Sequence, residues 1–437
     1  MPRCRRALIA GTGRDRGALA AARSLRRSGW FVGVGTPEGG GMVGASRACE
    51  ATHVVPRPRG DMTAFVDGVR EAVQHGDYQV VFGGGDDWMA ALSAYRDQIP
   101  AAVAHPDFEV VRAALDKVEL TDQARRAGIA APHTEPATPW ALDRWQGPVV
   151  VKCRAHWSPH QTRRHRIDAR VFPDAAAARS QVELITMAGA HPVLQQQLRG
   201  HLGALVGVFH DGRLHGRQQQ ATSRLWPTPS GMSSRAQTVP VDEDLSARAE
   251  TLLDQLGWHG LVELQFLTDA DGVPHLIDLN GRFYGSMALA NAARPGLIDA
   301  WGRMVLGEPV PTLPDAEPGK RYTWMAGDLR RARIERRGGQ VADLVDTVRW
   351  GWGAQHSVWD ARDLGPTLRL IRERLPALRP DIEQSLVVEP TLVTEHPPAP
   401  WPVERPEVAR PARGSLVPDP AERPPAPKQE ERLLRPA

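Results

Sequence analysis

Two predicted strands joined by a tight turn, residues 260–286, restrict the fold of this chain more than any other segment. The segment reads GLVELQFLTDADGVPHLIDLNGRFYGS, with a turn predicted at residues 269–272. Successive side chains of a strand point to opposite faces of its sheet. Glu263 and Gln265 therefore share one face, as do Asp278 and Asn280 on the second strand. We predict a hairpin on which these oxygen-bearing side chains converge; the alternative is the solvent-exposed face of an ordinary hairpin.

Oxygen donors that include carboxylates suit Mg²⁺, which keeps part of its water shell and bridges nucleotide phosphates. The hairpin therefore predicts a metal site formed by Glu263, Gln265, Asp278 and Asn280. The expected partner of such a site is a triphosphate. Mg²⁺ is the expected ion and Mn²⁺ the alternative, and the choice between Glu263 and Gln265 as the ligand on the first strand stays open.

Strands and helices alternate in the first part of the chain, residues 1–115. The apolar residues 7–10 end in a glycine turn, residues 16–28 form an amphipathic stretch, and residues 30–34 are apolar again. This alternation predicts a doubly wound parallel sheet of the Rossmann type. The glycines between 11 and 17 lack the spacing of a dinucleotide site, so we expect no nucleotide at that turn.

The remaining chain divides into further predicted regions. Residues 116–312 mix short strands with helices and include an Asp211-Gly212 hairpin signal, which predicts an α+β domain with antiparallel sheets. A single helix is expected over residues 115–127. Helical patterns at residues 340–351 and 366–375 predict a small C-terminal lobe over residues 313–392. Residues 393–437 are rich in proline and are predicted to be disordered.

Composition excludes several classes of protein. The 437 residues carry a net charge of +3 without a basic block, which gives no case for nucleic-acid binding. The sequence contains no apolar run long enough to span a bilayer. The 3 cysteines are widely separated and match neither a disulfide framework nor a zinc site. We expect a cytoplasmic protein that acts on small molecules, without nucleic acid or membrane as partner; a homodimer is left open.

The end of the second strand, Ile277-Asp278-Leu279-Asn280-Gly281-Arg282-Phe283, resembles the signature of the ATP-grasp superfamily. The resemblance implies that Asp278 and Asn280 hold Mg²⁺ and that Gln265 or Glu263 holds its other side. It also implies that Arg282 approaches a phosphate. The chain departs from the family pattern in having Asp278 where glutamate is usual and Gly281 where proline is usual.

Upstream segments extend the resemblance over residues 5–310. Lys117, at a predicted helix start, and Lys152, at the end of a buried strand, match the lysines that neutralise ATP phosphates in the family. The linker along adenine corresponds to Gln195, Gln196, Gln197 and Leu198. Arg224 stands where relatives keep an arginine facing the acyl phosphate. The alternatives are surface lysines, an ordinary strand edge and a solvated loop arginine.

The resemblance implies an ATP-grasp fold behind the parallel sheet and an ATP-dependent ligase. Such an enzyme converts a small carboxylate to an acyl phosphate, which an amine or similar nucleophile attacks, with release of ADP and phosphate. The alternative is a catalytically inactive Mg-ATP-binding protein with a regulatory or scaffold role. Residues 153–170 lack the glycine-rich loop of the family; Arg154, Arg163, Arg164 and His165 form either a cationic lid or a solvated loop.

Overall fold

The first sheet is parallel throughout. The computed structural model describes residues 4–155, 157, 159 and 167–374. Its first five strands pair in the order β3-β2-β1-β4-β5. They are β1 (Arg6–Ala10), β2 (Phe31–Thr36), β3 (Ala51–Val54), β4 (Val80–Gly83) and β5 (Ala102–Val103). Buried apolar residues fill both faces of β1 and β4, as is usual in parallel sheets covered by helices. The predicted doubly wound parallel sheet is confirmed.

Helices connect these strands and lead to the next domain. They are α1 (Arg16–Arg27), α2 (Gly41–Gly44), α3 (Met62–Gly76), α4 (Asp86–Ala94), α5 (Phe108–Leu115) and α6 (Lys117–Arg126), with a short 3₁₀ helix at Arg96–Gln98. The helix predicted over residues 115–127 is observed as α6, which begins two residues later than predicted. Asp116 has extended backbone angles and accepts hydrogen bonds from the backbone N–H groups of Val118 and Glu119, so it ends α5 and caps α6.

A four-stranded antiparallel sheet follows, in the order β6-β9-β7-β8. Its elements are β6 (Thr134–Pro136), α7 (Pro139–Arg144), β7 (Val149–Cys153), β8 (Arg170–Phe172), α8 (Ala175–Met187) and β9 (Pro192–Gln196). The apolar side of α8 packs against this sheet, where Val149, Val151 and Ile185 are buried in one cluster. Lys152 therefore lies at the end of a strand whose neighbouring residues are held in a small core.

The largest sheet has seven strands in the order β14-β13-β10-β11-β12-β15-β16. Its first elements are β10 (His201–His210), β11 (Arg213–Trp226), β12 (Met232–Val239), α9 (Glu243–Gln255), β13 (Gly260–Thr268) and β14 (Pro274–Asn280). Asp211 and Gly212 both have positive φ, 49° and 75°, which is the type I′ geometry predicted for the β10–β11 turn. The antiparallel sheets expected after the first domain are confirmed.

C-terminal elements continue this same sheet. They are α10 (Met287–Ala293), α11 (Leu297–Val305), β15 (Arg321–Thr323), α12 (Met325–Glu335), α13 (Gln340–Gly351), β16 (Gln355–His356) and α14 (Gly365–Arg374). Strand β15 pairs with β12, so residues beyond 312 contribute strands that the sequence pattern did not reveal. The predicted tail, residues 393–437, lies outside the described residues. No helix in the described part of the chain is long and apolar enough to cross a membrane.

An aromatic cluster joins the first sheet to the end of β14. The Trp301 ring contacts Phe82 of β4 and Phe283, with centroid distances of 4.7 and 5.7 Å. Trp301 is 1% exposed and its indole N–H donates to the carbonyl oxygen of Ala104. Large buried rings contribute strongly to packing. The segment after β14 is thereby held against the carboxyl ends of the parallel strands.

Candidate functional site

The predicted hairpin brings its polar side chains together around Glu263. In the register of β13 and β14, Glu263 lies opposite Asn280 and Gln265 lies opposite Asp278. Glu263 Oε2 accepts hydrogen bonds from Gln265 Nε2 at 3.0 Å and from Asn280 Nδ2 at 2.8 Å. Burial raises the pKa of Glu263 to about 7, against the opposing effects of Arg282 and the two amides. The Glu263 carboxyl group of the hairpin therefore titrates near neutral pH.

Asp278 lies beside both lysines predicted to bind phosphate. The ammonium group of Lys117 donates a hydrogen bond to Asp278 Oδ1. Burial acts to raise the pKa of Asp278, but the charges of Lys117 and Lys152 hold it below its ordinary value. For Lys152 itself, burial lowers the pKa to about 7, and the nearby charge of Lys117 acts in the same direction. The structure thus places Lys117, Lys152 and Asp278 in one electrostatic cluster.

The start of α6 brings Lys117 to this cluster. The N-cap residue Asp116 also accepts a hydrogen bond from Arg154 Nε at 2.7 Å, just beyond the end of β7. The Lys117 backbone N–H donates to the carbonyl oxygen of Arg154 at 3.0 Å. These bonds fix the α6 start against the end of the strand that carries Lys152. Arg154 therefore has a structural role here; Arg163, Arg164 and His165 lie outside the described residues.

Arg282 is paired with a carboxylate of the first domain. Its Nε donates to Asp86 Oδ1 at 2.8 Å, and its Nη2 lies 3.5 Å from Asp86 Oδ2. Burial acts to lower the pKa of Arg282, but the charge and hydrogen bond of Asp86 raise it above its ordinary value. Asp86 is in the first turn of α4, after the N-cap Gly85. The arginine therefore stays charged and is oriented by a residue far away in sequence.

His105 connects Gly281, directly after β14, to the first sheet. Its Nε2 accepts a hydrogen bond from the Gly83 N–H at 2.7 Å, and its Nδ1 donates to the carbonyl oxygen of Gly281 at 3.1 Å. Burial lowers the pKa of His105 to about 3, so the ring is neutral and serves as donor and acceptor at once. This contact fixes the backbone between Asn280 and Arg282.

The predicted adenine linker crosses from the four-stranded sheet toward β10. Gln195 is buried and its Nε2 donates to Thr134 Oγ1 at 2.8 Å. Gln196 is exposed and its Oε1 accepts from the His133 backbone N–H at 3.3 Å. Gln197 and Leu198 follow the end of β9 and are half-buried. The side chains of Gln195 and Gln196 thus already have protein partners.

Arg224 lies apart from the lysine cluster. It is opposite Arg235 near the end of β11, and its Nη1 donates to the Ser223 carbonyl oxygen at 2.7 Å. Burial lowers the pKa of Arg224, as do the charges of Arg337 and Arg235. Its Nε is buried and has no hydrogen-bond partner among the described residues. In the described part of the chain, no contact joins Arg224 to Asp278 or the lysines.

Comparisons with known proteins agree with this architecture. Residues 213–327, less than half of the chain, match the family model described as "ATP-grasp in the biosynthetic pathway with Ter operon". The structure is similar to an L-amino acid ligase from Bacillus licheniformis, with a TM-score of 0.55 and 15% identity, over 74% of this chain and 79% of that one. Residues 213–327 are therefore similar to an ATP-grasp family, and the chain shares the fold of this ligase. The predicted resemblance to the ATP-grasp superfamily and the predicted fold are confirmed. No curated protein matches the sequence.

Two other solved ATP-grasp structures are similar over comparable lengths. One is N5-carboxyaminoimidazole synthetase from Staphylococcus aureus complexed with ADP, with a TM-score of 0.56 and 12% identity over 72% of this chain and 80% of that one. The other is the biotin carboxylase domain dimer of 2-oxoglutarate carboxylase from Hydrogenobacter thermophilus, in complex with MgADP, ADP and bicarbonate. Its TM-score is 0.54 and its identity 11%, over 69% of this chain and 70% of that one.

The donor set of the hairpin suits a hard cation that is also bound by phosphate. Glu263 and Asp278 supply carboxylates, and Gln265 and Asn280 turn their amide nitrogens toward Glu263. Among the described residues, no group of three or more His, Cys, Asp or Glu side chains could hold a metal by itself. Mg²⁺ characteristically takes one or two carboxylates and completes its shell with water and phosphate. The residues therefore fit Mg²⁺ together with a nucleotide.

Two contacts at this site were not predicted from the sequence. Asp86 contacts Arg282 across 196 positions of sequence, and His105 contacts Gly281 across 176. His105 lies in no recognisable motif, and Asp86 follows three glycines, Gly83-Gly84-Gly85, at the end of β4. Their positions follow from how the first sheet packs against the end of β14, which periodicity alone does not predict.

Proposed function

We propose that the protein is an ATP-dependent ligase. It converts a small carboxylate to an acyl phosphate and joins it to an amine or similar nucleophile, with release of ADP and phosphate. The observation that carries the proposal is the position of Lys117 and Lys152 beside Asp278, on the hairpin that also presents Glu263 and Arg282. The ATP-grasp fold supports it, because the similar structures include a ligase and ADP complexes.

In the first step, a substrate carboxylate oxygen attacks the γ-phosphorus of ATP. The bond from that phosphorus to the β,γ-bridging oxygen breaks, which gives an acyl phosphate and ADP. Lys117 and Lys152 offset the charge of the triphosphate, and Arg282 stabilises the charge on the transferring group. Asp86 keeps the Arg282 guanidinium oriented before substrate arrives. Arg224 is proposed to face the acyl phosphate, since its buried Nε has no partner among the described residues.

When bound, Mg²⁺ would withdraw charge from the phosphates. Asp278, Asn280 and either Glu263 or Gln265 would hold it, with Mn²⁺ as the alternative ion. The Asp278 carboxylate, which now accepts a hydrogen bond from Lys117, would serve as a ligand, and the Lys117 ammonium would be available to phosphate. The backbone of residues 195–198 is proposed to contact adenine, because the Gln195 and Gln196 side chains already have protein partners.

In the second step, the amine nitrogen attacks the acyl carbon and the carbon–oxygen bond to phosphate breaks. Phosphate leaves and the nitrogen loses a proton. This route needs no side-chain nucleophile, because the acyl phosphate is itself the activated species. The electrostatic and positional contributions described above supply the catalysis. We also propose a cytoplasmic location and a homodimer, the latter supported by the dimeric biotin carboxylase domain of the same fold.

The test uses the purified full chain with Mg-ATP and a panel of acids and amines. ADP and phosphate are expected only when both co-substrates are present, and Asp278→Asn should lower kcat/KM about 100-fold, because it removes a charge at the reacting phosphates. The matched control is Asp254→Asn, an exposed residue near the end of α9. Formation of AMP would contradict the proposal. Nucleotide binding without turnover across the panel would support the regulatory or scaffold alternative.

A further inference from the structure

A large cavity opens beside the start of α1, outside the hairpin cluster. Its volume is about 1060 Å³, and its lining comes from the first glycine turn, from α12 to α14 and from β16. Most lining side chains are apolar, and several are aromatic. The largest are Met42, Trp324, Met325, Trp352, Trp359 and Leu370. Ligand cavities reach about 1,000 Å³ and combine apolar walls with a few polar groups. This cavity has room for a molecule of more than ten heavy atoms.

The titratable side chains that line the cavity, among the described residues, are all basic. Arg14, Arg16 and His356 are the titratable residues of the lining, and no aspartate or glutamate is among the described lining residues. Arg14 Nε lies 4.0 Å from Glu373. Arg16 has no carboxylate partner among the described residues: its guanidinium stacks 3.7 Å from the Trp324 ring centroid and donates to Tyr322 Oη at 3.2 Å. The cavity therefore offers one unneutralised guanidinium against an apolar wall.

This guanidinium lies next to the candidate site. A Cβ at Gly285 would be 3.2 Å from Arg16 Nη2, and the Tyr322 hydroxyl donates to the Gly285 carbonyl oxygen. The next residue, Ser286, accepts from Gln220 Nε2 at 2.9 Å and lies 3.5 Å from Glu263. Arg16, which lines the cavity, thus lies beside a segment that closely follows Arg282 in the chain. A ligand with its charged end at Arg16 therefore has that end beside Tyr322 and Gly285, next to the segment that carries Arg282.

We infer that the carboxylate substrate of the proposed ligase is a bulky apolar acid without an amino group. Its carboxylate pairs with Arg16, and its aryl or long alkyl body lies against Trp324, Met325 and Trp352. The inference rests on the proposed function. Guanidinium–carboxylate hydrogen bonds are among the strongest in proteins. An α-amino acid is disfavoured, because its ammonium group would enter a cavity whose described lining has no carboxylate to pair with it.

Direct binding measurements on the full chain test this inference. By titration calorimetry, 4-phenylbutanoate should bind at least about tenfold more tightly than acetate or L-phenylalanine, since tenfold corresponds to only ~1.4 kcal/mol. Arg16→Gln should weaken binding of 4-phenylbutanoate about tenfold or more and leave 4-phenylbutan-1-ol, which has no charge, unaffected. Arg16→Lys should restore part of the loss. Arg213→Gln, at an exposed position, is the matched control.

A second variant tests the apolar part of the cavity. Ala326 lines the cavity, and Ala326→Trp should abolish binding of both phenyl compounds while Mg-ADP still binds. Equal affinity for acetate and 4-phenylbutanoate, or no effect of Arg16→Gln on the acid, would overturn the inference. ADP formation that requires an amine together with small acids, and that does not occur with bulky apolar acids, would overturn it and leave the ligase proposal intact. Arg16-dependent binding of the acid without any ADP formation would instead contradict the ligase proposal and support the acid site.

Discussion

At the scale of single residues, burial sets the chemistry of the site. Burial raises the pKa of Glu263 to about 7 and lowers that of Lys152 to about 7, because in both cases it disfavours the charged form. The Glu263 carboxyl and Lys152 ammonium groups, whose ordinary pKa values lie far apart, therefore both titrate close to neutral pH. Lys152 is then partly neutral before a nucleotide binds, and the nucleotide supplies the negative charge that makes its protonation favourable.

We predict that ATP binding takes up a proton at Lys152. At pH 8 the free lysine is mostly neutral, and the triphosphate charge raises its pKa, so uptake approaches about one proton per ATP. Binding should weaken as pH rises from about 7 to 9, because more of the free lysine must then be protonated on binding. Calorimetry in buffers of different ionisation enthalpy measures the uptake. Lys152→Gln should remove it and Lys320→Gln, on the surface, should not; uptake that persists in Lys152→Gln contradicts the prediction.

At the scale of elements, the position of α1 depends on a close approach that only glycine permits. A Cβ at Gly17 would lie 2.5 Å from the Tyr284 carbonyl oxygen and 2.7 Å from the Phe283 carbonyl carbon. Both neighbours are backbone atoms and cannot move aside by changing a rotamer. The first turn of α1, which presents Arg16, is therefore held directly against the segment that follows Arg282.

Gly17→Ala is expected to destabilise the protein by about 1–3 kcal/mol, the usual cost of overpacking. It should also weaken 4-phenylbutanoate binding, because the shift of α1 moves Arg16. Thermal unfolding measures the first effect and calorimetry the second. Gly40→Ala is the matched control: its φ of 173° is extended, and a Cβ there would have nothing within 4 Å. An unchanged unfolding midpoint in Gly17→Ala would show that the contact is not tight.

Local sequence patterns predicted individual strands, helices and turns better than they predicted which of these elements pack against each other. The Asp211-Gly212 turn and the Glu263 to Asn280 hairpin follow from short-range rules, turn chemistry and two-residue alternation, and both appear as expected. The helix predicted over residues 115–127 starts two residues later than expected, because the Asp116 side chain caps α6 from outside the helix. The contacts of Arg282 with Asp86 and of Gly281 with His105 depend on packing between sheets, which no local pattern encodes.

At the scale of the whole molecule, the end of the described chain packs onto its beginning. Asp363, just before α14, accepts hydrogen bonds from Arg23 Nε at 2.8 Å, from Ser46 Oγ at 2.5 Å and from the Arg47 N–H at 3.0 Å. The side chains of Arg23 and Asp363 are each 9% exposed. Because α14 also lines the cavity with Leu370, this buried pair fixes one wall of the proposed acid site against the first domain.

Asp363→Ala is expected to cost about 3–5 kcal/mol of stability, because it leaves the Arg23 guanidinium buried without its carboxylate. The destabilisation should affect α14 first, so protease cleavage within Gly365–Arg374 should become faster and affinity for 4-phenylbutanoate should fall. Mg-ADP binding should change little, because Lys117, Lys152 and Asp278 are not part of α14. Limited proteolysis with mass spectrometry and the two titrations measure these effects.

The control variant is Asp254→Ala, at an exposed position on α9, which should change stability by less than about 0.5 kcal/mol. An equal loss of affinity for Mg-ADP and for 4-phenylbutanoate in Asp363→Ala would contradict this prediction. It would show that the nucleotide site and the acid site unfold together and that α14 does not respond alone.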